Sequence, residues 1–338
     1  LKTFKRSGYL LLSLVLGAAI LSGCSSEETE KKEEKMKTVR VAEVTRSIFY
    51  APQYVAMEKG FFKEQGLDVD LKTTWGGDKT MTALLSDSTD IALVGSETSI
   101  YVDAQGSNDP VINFAQLTQT DGTFLVAREK PEFFSWDQLK GSTFLGQRKG
   151  GMPQMAGEFG LKKHGIDPHK DLTLIQNIDY ANIASAFASG TGDYVQLFEP
   201  QASLFEQQGI GHIIASFGNE SGKLPYTTFM TKESYIKNNN DVLERFTKAI
   251  YKAQLFVEMN SAEETAKIIA PYFDDTPEEL IATVVDRYKS QHSFATNPLL
   301  DEEEWNNLKE IMKEAGELPK DANYNKLVNT KLAEDAIK

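Results

Sequence analysis

Apolar positions along this chain recur with two alternating periods. Val39, Val41 and Val44 predict a first strand, and Tyr54, Val55 and Met57 then return at helical spacing and stop at Gly60. After Gly66, Val69 and Leu71 predict a second strand, and Met81, Leu84 and Leu85 a helix. Ile91, Ala92, Leu93 and Val94 form a buried strand that ends at a Gly95-Ser96 corner. The alternation repeats beyond Ser142, with strands at 143–145, 172–175 and 194–197 and helices at 153–164 and about 183–188. Two α/β units are therefore expected. Residues 122–127 lead out of the first unit and residues 225–230 follow the second, so these segments are expected to be paired crossings that make a hinge. Amphipathic helices close the chain, at 241–260 with Phe246, Ala249, Ile250, Ala253 and Phe256 on one face, then at 262–272 and 277–288. If the crossings pair, this tail packs on the first unit.

The beginning of the chain has a different pattern. Lys2, Lys5 and Arg6 precede an apolar run from Gly8 to Gly23, too short to read as a spanning helix and typical of a secretory leader. The run stops at Cys24, the one cysteine of 338 residues, so an intrachain disulfide and a thiolate-rich metal site are both excluded. Leu21-Ser22-Gly23-Cys24 resembles the lipobox of bacterial lipoproteins, which implies lipidation at Cys24 and anchorage on the outer face of the cell membrane. Residues 24–37, rich in Glu, Lys and Ser, have almost nothing to bury and read as a charged tether. The organisation expected is a leader over 1–23, a tether over 24–37, lobe one over 38–127 with 226–338, and lobe two over 128–225.

Composition changes this picture only by exclusion. At 41% hydrophobic and 25% charged the chain is ordinary for a globular protein, and its net charge of −13 argues against nucleic-acid binding, which requires a basic stripe. Loss of Lys2, Lys5 and Arg6 with the leader would make it more acidic still. His164, His169, His212 and His292 show no metal-binding spacing, and no nucleophile elbow or phosphate loop occurs, so no metal, cofactor or catalytic residue is expected.

Several segments together carry a family resemblance. Phe49 to Asp70 (FYAPQYVAMEKGFFKEQGLDVD), Leu84 to Gly95 (LLSDSTDIALVG), Phe134 to Gly141 (FSWDQLKG) and Phe198-Glu199-Pro200 occur in an order similar to the nitrate, sulfonate and taurine binding proteins of ABC transporters and their relatives that bind thiamine pyrimidine precursors. The resemblance implies a type II periplasmic-binding-protein fold of two Rossmann-like α/β lobes with a two-strand hinge and a ligand cleft. It implies a monomer whose partners are a small-molecule ligand and the permease and ATPase subunits of an ABC importer. The ligand is expected to be sulfonate- or taurine-like, or an aminopyrimidine.

Open α/β sheets bind ligands at the carboxyl ends of their strands, which singles out four corners. Phe49 and Tyr50 follow the first strand and offer an aromatic wall or a self-packed loop. Trp75 precedes two glycines and either covers a flat ligand face or packs a lobe. Gly95 and Ser96 offer backbone and hydroxyl donors or a plain helix cap. Gln147, Arg148, Lys149, Gly150 and Gly151 head a helix and suit an anionic group, unless Arg148 and Lys149 are simply solvated. Glu199 faces these donors, and either accepts from an amine or makes an interlobe salt bridge. The competing classes are an enzyme like the related thiamine-pyrimidine synthase, whose cysteine-rich motif is missing here, and a lipoprotein sensor without transport.

Overall fold

The computed structural model describes residues 36–338. The expected leader over 1–23, Cys24 and the tether up to residue 35 lie outside the described residues. None of the described helices is long and apolar enough to cross a membrane.

The described chain builds two five-stranded sheets to one plan. Strands β1 (Lys37–Glu43), β2 (Leu67–Thr73), β3 (Ile91–Gly95) and β4 (Val111–Thr118) belong to the first sheet, with β5 (Thr123–Ala127), β6 (Thr143–Leu145), β7 (Thr173–Ile175), β8 (Tyr194–Phe198) and β9 (His212–Ser216) in the second. Strand β10 (Thr227–Lys232) returns to the first. The orders are β2-β1-β3-β10-β4 and β7-β6-β8-β5-β9. In each sheet four strands share one direction and one strand, delivered from the other lobe, enters antiparallel: β10 between β3 and β4, β5 between β8 and β9.

This corrects one expectation. Residues 123–127 are a strand of the second sheet, so a boundary drawn at 127 falls after the crossing. The chain passes between sheets at 119–122 and 217–226 instead. The period of Thr-Phe-Leu-Val-Ala specifies a strand but not its neighbours, and since all five residues are buried neither face marks a partner. Strand β4, wholly buried, escapes the periodicity because Asn113 and Gln116 interrupt it. Both find partners, Asn113 Nδ2 donating to the buried Ser99 Oγ at 2.8 Å and Gln116 Nε2 to the half-buried Glu304 Oε2 at 2.9 Å.

Helices α1 (Ala51–Glu58), α2 (Phe61–Glu64), α3 (Gly77–Leu85) and α4 (Glu97–Ala104) connect the first sheet. The second carries α5 (Met152–Lys163), α6 (Ile183–Ala188), α7 (Gln201–Gln207) and α8 (Phe217–Ser221). The tail comprises α9 (Glu233–Met259), α10 (Ala262–Ile269), α11 (Glu278–Ser290), α12 (Glu302–Glu314), α13 (Tyr324–Leu327) and α14 (Thr330–Ile337). As expected, the tail packs mainly on the first lobe: α9 lies on α1, β4 and β10, and α14 on α9 and β4. It also reaches the second lobe, where α12 meets α5.

An aromatic hub ties these parts together. Phe49 lies 5.0 Å from the ring of Tyr288, 5.6 Å from Tyr226, 5.9 Å from Phe198 and 6.0 Å from Tyr50, so it touches both lobes and the tail. Gly122 fits over it because a Cβ there would stand 2.7 Å from the Phe49 ring. Truncating a buried phenylalanine removes its transfer free energy and leaves a cavity. Phe49→Ala should therefore destabilise the protein by about 3–5 kcal/mol in urea unfolding; a change below about 1 kcal/mol would show that the hub does not hold the lobes.

Candidate functional site

The parallel strands of both sheets end towards one another, and a cavity of about 440 Å³ lies between them. Val44 and Thr45 after β1, Gly76 and Gly77 after β2, and Gly95 at the end of β3 line it from the first lobe. Gln147 after β6, Asp179 to Asn182 after β7, and Phe198 at the end of β8 line it from the second. Tyr50, Trp75, Tyr101, Tyr180, Phe198 and Tyr226 supply six aromatic walls. Such a box offers faces for a flat ring. Trp75 stands at its lip, half exposed, with a φ of 59° that a bulky residue rarely adopts.

Four buried carboxyls of the two lobes show how unevenly polar groups are satisfied here. Glu43, at the end of β1, receives hydrogen bonds from Gln53 Nε2 at 2.9 Å, Tyr54 Oη at 2.8 Å and Thr73 Oγ1 at 2.7 Å, and pairs with Arg46 Nε at 2.9 Å. Glu199 accepts from the Ser203 amide and hydroxyl, each at 2.8 Å, and forms an ion pair with Arg287 of α11. Asp121, in the 119–122 crossing, accepts from the Thr123 amide at 2.7 Å and from the Thr123 hydroxyl, but its Oδ2 has no partner.

Glu97 is the one of the four that lines the 440 Å³ cavity, and it is poorly compensated. Its Oε1 accepts from the Met152 amide at the start of α5, 3.2 Å away across the cleft, and its Oε2 has no partner. Among the described residues no lysine, arginine or histidine forms an ion pair with it. Burial disfavours its charged form, and the backbone hydrogen bonds offset this only partly, so its pKa is pushed up to about 7. Gly95, two residues earlier, makes room for this carboxyl: a Cβ there would stand 2.2 Å from Glu97 Oε2 and would push it aside.

The expected site residues divide. Tyr50, Trp75, Gly95, Gln147, Arg148, Lys149, Gly150 and Gly151 all line the cavity. Phe49 does not: it is buried behind the cavity in the aromatic hub. Ser96 is also fully buried and is neither a ligand donor nor a side-chain cap, since its hydroxyl donates to the Pro225 carbonyl in the second crossing. Glu199 lies outside this cavity, at a neighbouring hollow, and its carboxylate is committed to Arg287 and Ser203. Of its two sequence readings, the salt bridge is the one found.

Arg148 has its guanidinium engaged as well, with Asp78 Oδ2 of the first lobe at 3.0 Å and Asp179 Oδ1 of the second at 3.1 Å. Burial opposes ionisation of Asp78, but the Arg148 hydrogen bond and charge outweigh it and hold the carboxyl below its usual value. Gln147 Nε2 donates to the Gln196 carbonyl at 2.7 Å. Tyr101 Oη closes a further contact across the cleft, donating to the Gly150 carbonyl at 3.0 Å. Sequence reasoning passed over Glu97, Tyr101, Tyr180 and Tyr226. The strand-end rule that selected four corners also applies to β7, and would have found Tyr180.

A cavity between the carboxyl ends of two α/β sheets with intruding antiparallel strands defines the periplasmic-binding-protein fold, whose members hold small molecules between lobes. The NMT1/THI5-like family model matches residues 48–263, and the chain belongs to that family. It is 66% identical, over 97% of both chains, to YtlA of Bacillus subtilis (strain 168), named as a candidate binding protein. It is 22% identical, over 86% of this chain and 88% of the relative, to the formylaminopyrimidine-binding protein of Halalkalibacterium halodurans. The solved periplasmic nitrate-binding protein NrtA of Synechocystis PCC 6803 superposes with a TM-score of 0.68 at 18% identity, over 89% of this chain and 88% of that one.

The Glu97 carboxyl sets a pH dependence of defined sign. Its folded pKa of about 7 exceeds the ordinary 4.5, so between these values the folded chain holds a proton that the unfolded chain has lost. Its contribution is fully present below pH 4.5 and disappears as pH rises towards 7. In ligand-free protein the melting temperature of wild type should fall relative to Glu97→Gln across that window and level off above it. A constant difference in a fluorimetric melting series would contradict the assignment.

Proposed function

We propose that this protein captures a small amino-substituted heteroaromatic molecule of the aminopyrimidine type outside the cytoplasm and delivers it to an ABC permease, without catalysing a reaction. The observation that carries the reading is Glu97, a buried carboxyl with an unpartnered oxygen among aromatic walls. A carboxyl can pair with the ring nitrogen and exocyclic amino group of such a ligand, accepting one hydrogen bond and, when protonated, donating another. The aromatic rings would cover the ligand's faces, and the name of the Halalkalibacterium relative points to the same ligand class. A sulfonate is less well served, because Arg148 already pairs with Asp78 and Asp179.

The contacts of Arg148 with Asp78, Tyr101 with Gly150 and Glu97 with Met152 all cross the cleft and would hold a closed state around the ligand. Opening at the 119–122 and 217–226 crossings would release it. On this reading the lobes move as bodies, the protein acts as a monomer towards the importer's permease and ATPase subunits, and Cys24 carries the lipid that keeps it at the membrane.

Calorimetric titration with 4-amino-5-hydroxymethyl-2-methylpyrimidine and its formylamino analogue tests the ligand class. Wild type should bind at least one of them. Glu97→Gln should weaken that binding by about 1.5–3 kcal/mol, the range for a charge-assisted hydrogen bond, and Arg148→Ala by less than about 1 kcal/mol, as for an exposed ion pair. No heat from either compound would remove the aminopyrimidine assignment. For the anchor, Cys24→Ser should abolish incorporation of a fatty-acid analogue in labelled cells, and label retained by the variant would refute it.

A further inference from the structure

The proposed function takes Glu97 as a ligand partner; its position also bears on what the cavity refuses. Helix α5 begins at Met152, and Gly150, Gly151, Met152 and Pro153 at its amino end all line the cavity, the two glycines having no side chains to hold a ligand off. The amino end of a helix carries about half a positive charge and unpaired N–H donors, and is a ready seat for an anion. In this chain the seat is taken from within, because Glu97 Oε1 of the opposite lobe accepts from the Met152 amide at 3.2 Å. The Gly150 amide just before the helix is engaged too, donating to Gln154 Oε1 at 2.9 Å, and Pro153 has no N–H to offer.

A small anion entering the cavity would have to displace the Glu97 carboxylate or sit beside it. Both routes are unfavourable. The side chain is 4% exposed, with three tyrosines, Tyr50, Tyr101 and Tyr226, near enough to feel its charge. Like charges in such a poorly hydrated place repel strongly. The cationic groups at the cavity offset this little: Arg148 is shared between two aspartates, Lys149 lies 3.5 Å from Glu317, and Lys79, which also lines the cavity, is exposed, so solvent screens its charge.

We infer that Glu97 is the specificity-determining residue that excludes anions from this cavity, by placing its own carboxylate on the α5 amino end that would otherwise bind a sulfonate or nitrate. The inference rests on the cavity being the ligand site, but not on the ligand being an aminopyrimidine. It turns the common donor site of a helix terminus into a filter, with the charge supplied by the lobe across the cleft.

Titration of wild type, Glu97→Gln and Glu97→Ala with methanesulfonate and with nitrate at pH 8 tests it. Wild type should show no saturable binding. Glu97→Ala, which vacates the Met152 amide, should bind one of the anions at least about tenfold more tightly than wild type. Glu97→Gln should gain less, because its amide oxygen can keep the amide contact without the charge; it also preserves the experiment if the alanine variant does not fold. A gain of anion binding supports the filter whether or not wild type takes an aminopyrimidine. Equal responses of all the folded proteins to both anions, or saturable binding by wild type as tight as by the variants, would overturn it.

Discussion

The structure depends on taking the backbone twice through a buried region between the sheets with its polar groups satisfied, because a buried amide or carbonyl without a partner costs about as much as a lost hydrogen bond. At 119–122 this is done locally and by the tail. Asp121 accepts from the Thr123 amide, Tyr288 Oη donates to the Gly122 carbonyl at 2.8 Å, and the Gln119 amide donates to the Ser293 carbonyl at 2.9 Å. The second crossing is bonded to the first strand system, with the Leu224 amide on the Gln119 carbonyl and the Ser96 hydroxyl on the Pro225 carbonyl. The tail is therefore part of the hinge's chemistry, which explains why helices so far along the chain return to the first lobe.

That arrangement also decides which carboxyls are structural. Glu199 faces α11, and Arg287 neutralises it; Glu43 sits among four partners that fix the end of β1. Both are buried charges compensated by design of their surroundings. Glu97 meets one amide of the opposite lobe and aromatic walls, so its burial is costly, and on the proposed function it would become useful when a ligand supplies the missing partner. A group left under-satisfied in a cavity is where binding free energy can be gained.

The contacts across the cleft differ in strength by the same logic. Arg148 with Asp78 is half exposed and contributes modestly, whereas the Tyr101 hydroxyl and the Met152 amide act in a drier place where a hydrogen bond counts for more. On the proposed function, closure would be controlled near the ligand rather than at the rim.

The sequence by itself determined the α/β class, the two units, most of the strands and helices, and eight of the residues that line the cavity, because period and strand-end position are local properties read from neighbours along the chain. Local pattern could not place β5 in the second sheet, since a strand buried on both faces does not encode its partner. Nor could it separate Glu199 from Glu97. Both are acids at a strand end, and what distinguishes them is the presence of Arg287, 88 residues along the chain from Glu199, and the absence of any such cation beside Glu97 among the described residues. Phe49 shows the same limit: its place after β1 suits a cleft wall, but Tyr288 and Tyr226 arrive from distant segments and enclose it. Burial and charge compensation are sums over residues brought together only by folding, so tertiary structure alone assigned the hub, the salt bridge and the under-satisfied carboxyl.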